Sequence, residues 1–385
     1  MIKKQPPPVP TCHVLWLGWK IIILFSVSLC AFGLFRLHHK PRLTPLAISS
    51  DRSLSFLNDF SATPKIAFLF LARRNLPLDF LWSSFFEDAD AANFSIYVHS
   101  EPDFVLDEST TRSRFFYNRQ LRNSIQVVWG EASMVEAEKI LFSAALEDPA
   151  NQRFVLLSDR FILLIICVPL YNFSYIYKYL MHSQRSFVDS FIDAKEERYN
   201  PKMSPSIPRE KWRKGSQWIA LIRRHAVVLV NDYEIISIFK NYCKRRPPVD
   251  ASMGKLNIKL QKQNNCIPDE HYVQTLFAMN GVEPELERRT LTYTLWNQSS
   301  TINEKGWHPF KFSYADASPK RINEIKNIDH VYYETDHRTE WCHSNTTFVP
   351  CFLFARKFSQ GAAMRLLSEG LIAHFNGSTL LDSHH

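Results

Sequence analysis

Residues 65–100 read KIAFLFLARRNLPLDFLWSSFFEDADAANFSIYVHS. Lys65–Ala72 is a short apolar run bounded by Pro64 and by Arg73, so it reads as a buried strand. Leu78, Leu81, Phe85 and Phe86 then recur at helical spacing. Phe94–Ser100 is rich in β-branched and aromatic residues and reads as a second strand. Outward from this unit, Ser124–Gly130 (SIQVVWG) reads as a third strand and Arg153–Ser158 as a fourth, with the helix SMVEAEKILFSAALED between them. Strands alternating with helices predict an α/β domain with a mainly parallel central sheet. Ligands of such sheets lie at the carboxyl ends of the strands, which points to the segments after Ala72, Ser100, Gly130 and Ser158. The second half is less regular. YNFSYIYKYLM and EIISIFKNYCKRR read as helices, IALIRRHAVVLVND as a strand or short helix, and IPDEHYVQTLFAMNGV as a helix with a capping signal at its start.

The 385 residues suffice for one large domain or two modest ones. The net charge of +8 is scattered, with short clusters such as Cys243–Pro248. A solvated basic face or an anionic small ligand such as a nucleotide diphosphate fits this pattern better than nucleic acid.

Near the start, Val14–Phe35 is an apolar stretch with one charge, Lys20, and it is long enough to cross a hydrocarbon layer of ~30 Å. It ends AFGLFRLHHK rather than in the small residues of a cleavage site, so an uncleaved signal anchor is expected. Five sequons follow it, at Asn93, Asn172, Asn297, Asn345 and Asn376, and they place the following domain in a lumen. Cysteines agree: in an oxidising lumen Cys243–Cys266 and Cys342–Cys351 are expected bridges, leaving Cys167 free, against the alternative of five reduced thiols. Zinc is not expected, because no C-x₂-C pair exists.

A resemblance sharpens this picture. FLFLARRNLPLDFLW, FSIYVHS, VVWGEASMVEAE, FVLLSD, VPLYNFSYIYKYLM, RYNPKMSP, WRKGSQW, PDEHYVQTL and PCFLFARKF, in this order over residues 65–375, resemble the plant branch of the core-2/I-branching β-1,6-N-acetylglucosaminyltransferase family. The resemblance implies a GT-A-type nucleotide-sugar fold and a single-pass type II protein of the Golgi membrane. It also implies inverting transfer from a UDP-sugar to a glycan or glycoprotein, without a metal or other cofactor. The expected organisation is a cytosolic tail (1–13), a transmembrane anchor (14–35), a stalk (36–63), a lumenal transferase domain (64–376) and a C-terminal tail (377–385). N-acetylglucosamine follows the family name, while relatives of this fold transfer glucuronic acid or xylose.

Inverting transfer needs one base to take the acceptor proton while the sugar carbon is attacked from the opposite face, and a carboxylate suits this. The resemblance maps that base to Glu270 of Pro268-Asp269-Glu270, with Asp269 on the acceptor side. Taken alone, these two acids read as partners of a helix N-terminus. The leaving diphosphate must be stabilised. The resemblance assigns this to Lys357, with Arg356 beside it; for a second phosphate-binding arginine, Arg321 and Arg338 both stay open. Asp88-Ala89-Asp90 matches the metal-binding D-x-D pattern but falls where the family has a variable loop, and it is read as a chance match. Gly215 and Ser216 are placed on the acceptor side, Trp296 as a stacking aromatic for the donor, and His99 at a strand end beside the nucleotide. Glu131 and Ser133 also follow a strand end, where Ser133 is expected to cap the helix.

The family pattern L-L-S-[DE]-S-C-x-P-L-Y-N-F is interrupted here: LLSD is followed by RFILLII before CVPLYNF. Residues 160–166 thus form an insert, read as a retained intron fragment or gene-prediction error. It is too short to span a membrane and too apolar for a solvated loop. It should extend the strand or pack on the core, with displacement of donor-site residues as a consequence.

Overall fold

Alternate side chains of β1 (Lys65–Leu71) divide the fold into two cores. Ile66, Phe68 and Phe70 enter one buried cluster; Ala67, Leu69 and Leu71 enter the other. A strand covered on both faces needs helices above and below it, and the chain supplies them. The computed structural model describes residues 63–160, 165–194, 198–245, 264–296, 309–344 and 347–372. After β1 come α1 (Asp79–Glu87), β2 (Phe94–His99), α2 (Ser133–Leu146), β3 (Asn151–Arg160), β4 (Ile165–Pro169), α3 (Phe173–His182), β5 (Ser186–Phe187) and β6 (Ala220–Ile222). Then follow α4 (Arg223–Val230), α5 (Glu234–Tyr242), α6 (Tyr272–Met279), β7 (Leu286–Glu287), β8 (Thr292–Thr294), α7 (Pro319–Lys326) and β9 (His330–Tyr333). The last elements are β10 (Arg338–Trp341), β11 (His343–Ser344), β12 (Thr347–Phe348), β13 (Phe354–Phe358) and α8 (Gln360–Ser368).

Helices α1, α3, α7 and α8 pack on the face of Phe68, and α2, α4, α5 and α6 on the face of Leu69. The first core is aromatic: Phe68 meets Phe86 edge-on at 5.2 Å, and Phe70 meets Trp82 at 5.1 Å. The expected parallel centre is present as β2–β1–β3. Its flanks are mixed: β6 and β4 run antiparallel to β3, while β13 runs antiparallel to β4 and parallel to β8.

Three local expectations need correction. Ser124–Gly130 forms no strand: its first amides are taken elsewhere, Ser124 N–H by the Leu121 carbonyl and Ile125 N–H by His99 Nε2 at 3.0 Å, and it has no ladder partner. Ser133 opens α2 without capping it; its hydroxyl instead accepts from Val128 N–H at 2.9 Å. Pro268–Glu270 is a separate 3₁₀ turn, not the first turn of α6, and the two acids stand just ahead of the helix that His271 opens.

Both expected bridges are formed, Cys243–Cys266 and Cys342–Cys351, and Cys167 is a buried free thiol. Residues 1–62, hence the tail, the apolar segment 14–35 and nearly all of the stalk, lie outside the described residues, as do Asn297, Asn345, Asn376 and the C-terminal tail. Among the described residues no helix is long and apolar enough to cross a membrane. Asn93 closes a 3₁₀ turn, and Asn172 is exposed, its Oδ1 accepting from Tyr175 N–H at the start of α3.

The insert takes the first of its two anticipated forms. It lengthens β3 to Arg160 and returns as β4, with Asp159 opposite Ile166 and Arg160 opposite Ile165. Residues 161–164 lie outside the described residues.

Candidate active site

Segment 212–218, WRKGSQW, is the hub of the site. Gly215 N–H donates to the Glu270 carbonyl at 2.9 Å, and Ser216 N–H donates to Asp189 Oδ2 at 2.9 Å. A Cβ built on Gly215 would lie 1.8 Å from the Asp189 carbonyl oxygen, so this residue is a glycine for lack of space. The Tyr333 hydroxyl donates to the other Asp189 oxygen at 2.5 Å. Burial raises the Asp189 carboxyl above its ordinary range, which its two donors oppose. Gln274 Nε2 on α6 donates to the Ser216 carbonyl at 2.8 Å. His271 is buried and stacks on Trp212 at 4.5 Å. Burial, with Arg198 nearby, pushes this imidazole well below its usual range; its Nδ1–H donates to the Arg213 carbonyl at 2.8 Å. The turn carrying Glu270 is therefore tied to segment 212–218 at two points.

Glu270 itself is paired. Arg198 Nη1 reaches its Oε2 at 2.6 Å, with the two side chains 9% and 21% exposed. A charge-assisted bond of this length fixes the carboxylate's direction, while the remaining exposure leaves it able to meet a solute. Asp269, by contrast, is buried away from solvent.

Arg356 and Lys357 sit in β13, where the pairing slips. Ala355 lies opposite Val168 and Phe358 opposite Ile166, so both cations stand against the single residue Cys167. A bulge of this kind re-aims side chains beside functional sites. The Arg356 guanidinium lies 4.7 Å from the ring centre of Trp218, whose backbone N–H donates to Ser216 Oγ at 3.2 Å. A chain of contacts thus runs from Glu270 through Gly215, Ser216 and Trp218 to Arg356, with Lys357 next to it. Trp296 is half exposed and lies two residues beyond Thr294, the β8 partner of Arg356.

Other sequence candidates stand apart from this chain. His99 is fully buried at the end of β2, with Nε2 accepting from Ile125. Burial holds its imidazole down at about 4, against an ordinary 6.5. The unfolded chain thus binds the extra proton between these values, so His99 contributes stability that is complete above ~6.5 and is lost as pH falls toward ~4, up to about 3 kcal/mol. Denaturant titrations at pH 7 and 4.5 should show this loss, and His99→Asn should flatten it; equal slopes would refute it. Asp90 caps the turn at Ala91–Asn93 through an exposed bond to Ala92 N–H, and Asp88 ends α1. Among the described residues no three His, Cys, Asp or Glu side chains gather as a metal-binding group. Of the two open arginines, Arg321 pairs with Glu324 on the surface of α7. Arg338 lies over the Tyr333 ring at 4.3 Å and donates to the Ser190 carbonyl, one contact from Asp189. Arg198, Asp189, Tyr333 and Trp218 were not candidates from sequence; only Arg198 and Trp218 had a signal, their places at the head of the quoted RYNPKMSP and the end of the quoted WRKGSQW.

Two clefts open elsewhere: about 330 Å³ around Tyr171, Tyr175 and Lys326, and about 530 Å³ around Arg185, Glu287 and Trp341.

A mixed α/β sheet with a carboxylate turn and a cationic bulge joined by one loop fits a GT-A-like nucleotide-sugar transferase. The Core-2/I-Branching enzyme family pattern matches residues 66–326. The chain is also 52% identical over 321 residues to Glycosyltransferase BC10 of Oryza sativa subsp. japonica, covering 82% of this chain and 79% of that protein. The chain belongs to the Core-2/I-Branching enzyme family and is a nucleotide-sugar glycosyltransferase.

Proposed function

We propose that the protein transfers N-acetylglucosamine from a UDP donor to a glycan hydroxyl by inverting displacement, with Glu270 as general base. The observation that carries this is the Glu270 carboxylate aimed by Arg198, on a turn whose backbone is linked through Gly215, Ser216 and Trp218 to Arg356. The acceptor hydroxyl gives its proton to Glu270 as its oxygen bonds to the anomeric carbon, and the bond from that carbon to the diphosphate breaks. Lys357 and Arg356 receive the charge that develops on the diphosphate. Trp296 offers its face to the donor, and Gly215 and Ser216 shape the acceptor side; the buried Asp269 does not reach it. In this reading no metal is required, and the protein is held in the Golgi membrane by residues 14–35 with its transferase domain in the lumen.

The test is UDP release from a panel of UDP-sugars. UDP-N-acetylglucosamine should turn over fastest, with a rate unchanged by EDTA. Faster turnover of UDP-glucuronic acid or UDP-xylose would replace the donor assignment, and loss of rate on chelation would refute metal independence.

A second reading, a catalytically silent sugar-binding scaffold, draws on the hairpin of the insert. Strand β4 pairs with the strand that carries Arg356 and Lys357, so lengthening it acts directly on the bulge. Activity only after deletion of residues 160–166 would favour this reading.

A further inference from the structure

Three large aromatics stand out of the surface on the hairpins β9–β10 and β11–β12: Trp341 is 48% exposed, and Tyr332 and Phe348 are each 58% exposed. Two of them are held in place. Trp341 meets His330 at 4.7 Å and Phe348 at 6.1 Å, Phe348 meets His343 at 4.4 Å, and the Cys342–Cys351 bridge ties down the residue next to Trp341. A fixed, exposed aromatic group of this kind marks a binding surface. It borders the cleft of about 530 Å³, whose lining includes Arg185, Glu283, Glu287, Arg288, Glu340 and Trp341.

The lining selects among ligands. It brings together two arginines and three glutamates. The arginines already have partners: Arg288 reaches Asp336 Oδ2 at 3.0 Å and the Ser190 carbonyl at 2.9 Å, and Arg185 donates to the Pro284 and Leu286 carbonyls, both at 3.3 Å. A phosphate or carboxylate ligand would meet more negative than positive charge here, and like charges repel across a contact. Neutral polar ligands find open capacity. The Glu287 carboxylate stays 3.8 Å from Arg185, beyond hydrogen-bond length. Hydroxyl groups both donate and accept, and a ring with an apolar C–H face and a polar rim matches an aromatic set beside carboxylates. A pyranose has that shape. The cleft also shares a wall with the active site. Glu283 accepts from Arg213 Nε at 2.8 Å and Nη2 at 3.1 Å, and Arg213 belongs to segment 212–218. The Ser190 carbonyl held by Arg288 follows Asp189, which accepts from Ser216.

We propose that this cleft is a glycan subsite: it holds a neutral oligosaccharide arm of the acceptor, away from the reacting hydroxyl, with Trp341 against a pyranose face and Glu287 on its hydroxyls. The proposal rests on the acceptor being a glycan.

The test is calorimetric titration of the detergent-solubilised full chain, without donor, with cellotetraose, N-acetylchitotetraose and β-1,4-galactotetraose. At least one should bind. Trp341→Ala should weaken that binding about 10-fold and Glu287→Ala about 5-fold, as expected for a stacked tryptophan and a hydrogen-bonding carboxylate. Tyr175→Ala, in the cleft of about 330 Å³, should leave it unchanged, and inorganic phosphate should not displace the sugar. No binding of any of the three sugars, wild-type affinity in Trp341→Ala, or displacement by phosphate overturns the proposal. A loss in Tyr175→Ala in place of Trp341→Ala moves the glycan to the other cleft and also overturns it. Should Trp341→Ala fail to fold, Glu287→Ala decides. No donor is present, so the titration does not depend on Glu270. If no UDP-sugar turns over while the tetrasaccharide still binds through Trp341, the transfer reading fails and the glycan cleft stands; if turnover is found without that binding, the cleft alone is lost.

Discussion

Glu270→Gln is expected to lower kcat by about 10²- to 10⁴-fold, with the donor KM within about 3-fold. The amide is nearly isosteric with the carboxylate but cannot take a proton, so the change removes the base and spares the space. Its neighbour complicates the energetics. Arg198 is only 9% exposed and would lose its charged partner at 2.6 Å. Removing one member of a largely buried pair costs a few kcal/mol, because the remaining charge stays desolvated. A fall in Tm should therefore accompany the loss of rate. Arg198→Gln separates the two effects: it should also lower Tm, but it leaves the carboxylate in place and should cost only about 10-fold in kcat. Turnover of Glu270→Gln within a few-fold of wild type would exclude Glu270 as the base. If both variants lost rate equally, the ion pair rather than the proton acceptor would be the functional unit.

The contrast between what was legible in the sequence and what was not follows from range. Strands such as Lys65–Leu71 announce themselves because burial on both faces demands an unbroken apolar run. SIQVVWG carries the same signal yet forms no strand. Its Ile125 amide meets His99 rather than a sheet edge, and no local pattern reveals whether an edge is available. Glu270, Lys357 and Gly215 were singled out through motifs, but the partners the fold gives them were not. Arg198 lies 72 residues from Glu270, and Tyr333 lies 144 from Asp189. Pairs at such distances are created by the fold, and side-chain type alone does not select one arginine or tyrosine over another. Glu138 illustrates the opposite failure. In a helix whose first turn is acidic it looks like solvated charge, and only its depth in the core marks it as different.

Gly215→Ala should be the most damaging single-methyl change in the described residues. The added carbon would meet the Asp189 carbonyl oxygen at 1.8 Å and its carbon at 2.6 Å, and both are backbone atoms with no rotamer to change. Gln274 Nε2, at 3.0 Å, blocks a further direction. Relief requires segment 212–218 to move away from Asp189 by roughly 1 Å or more, since carbon and oxygen resist approach below ordinary van der Waals contact. That movement stretches the bonds from Ser216 N–H to Asp189 and from Gly215 N–H to the Glu270 carbonyl, which join the proposed base to the rest of the site. Overpacking of this kind costs about 1–3 kcal/mol, and a displacement of about 1 Å at a reacting group costs about 100-fold in rate. The expected result is thus a Tm lowered by several degrees together with a kcat about 100-fold down. Ser216→Ala is the control: it adds no atom and keeps the N–H that Asp189 accepts, so its losses should be several times smaller. Were Gly215→Ala to match wild type in both Tm and kcat, the close approach of segment 212–218 to Asp189 would be wrong, and with it the geometry that joins Glu270 to the cations of β13.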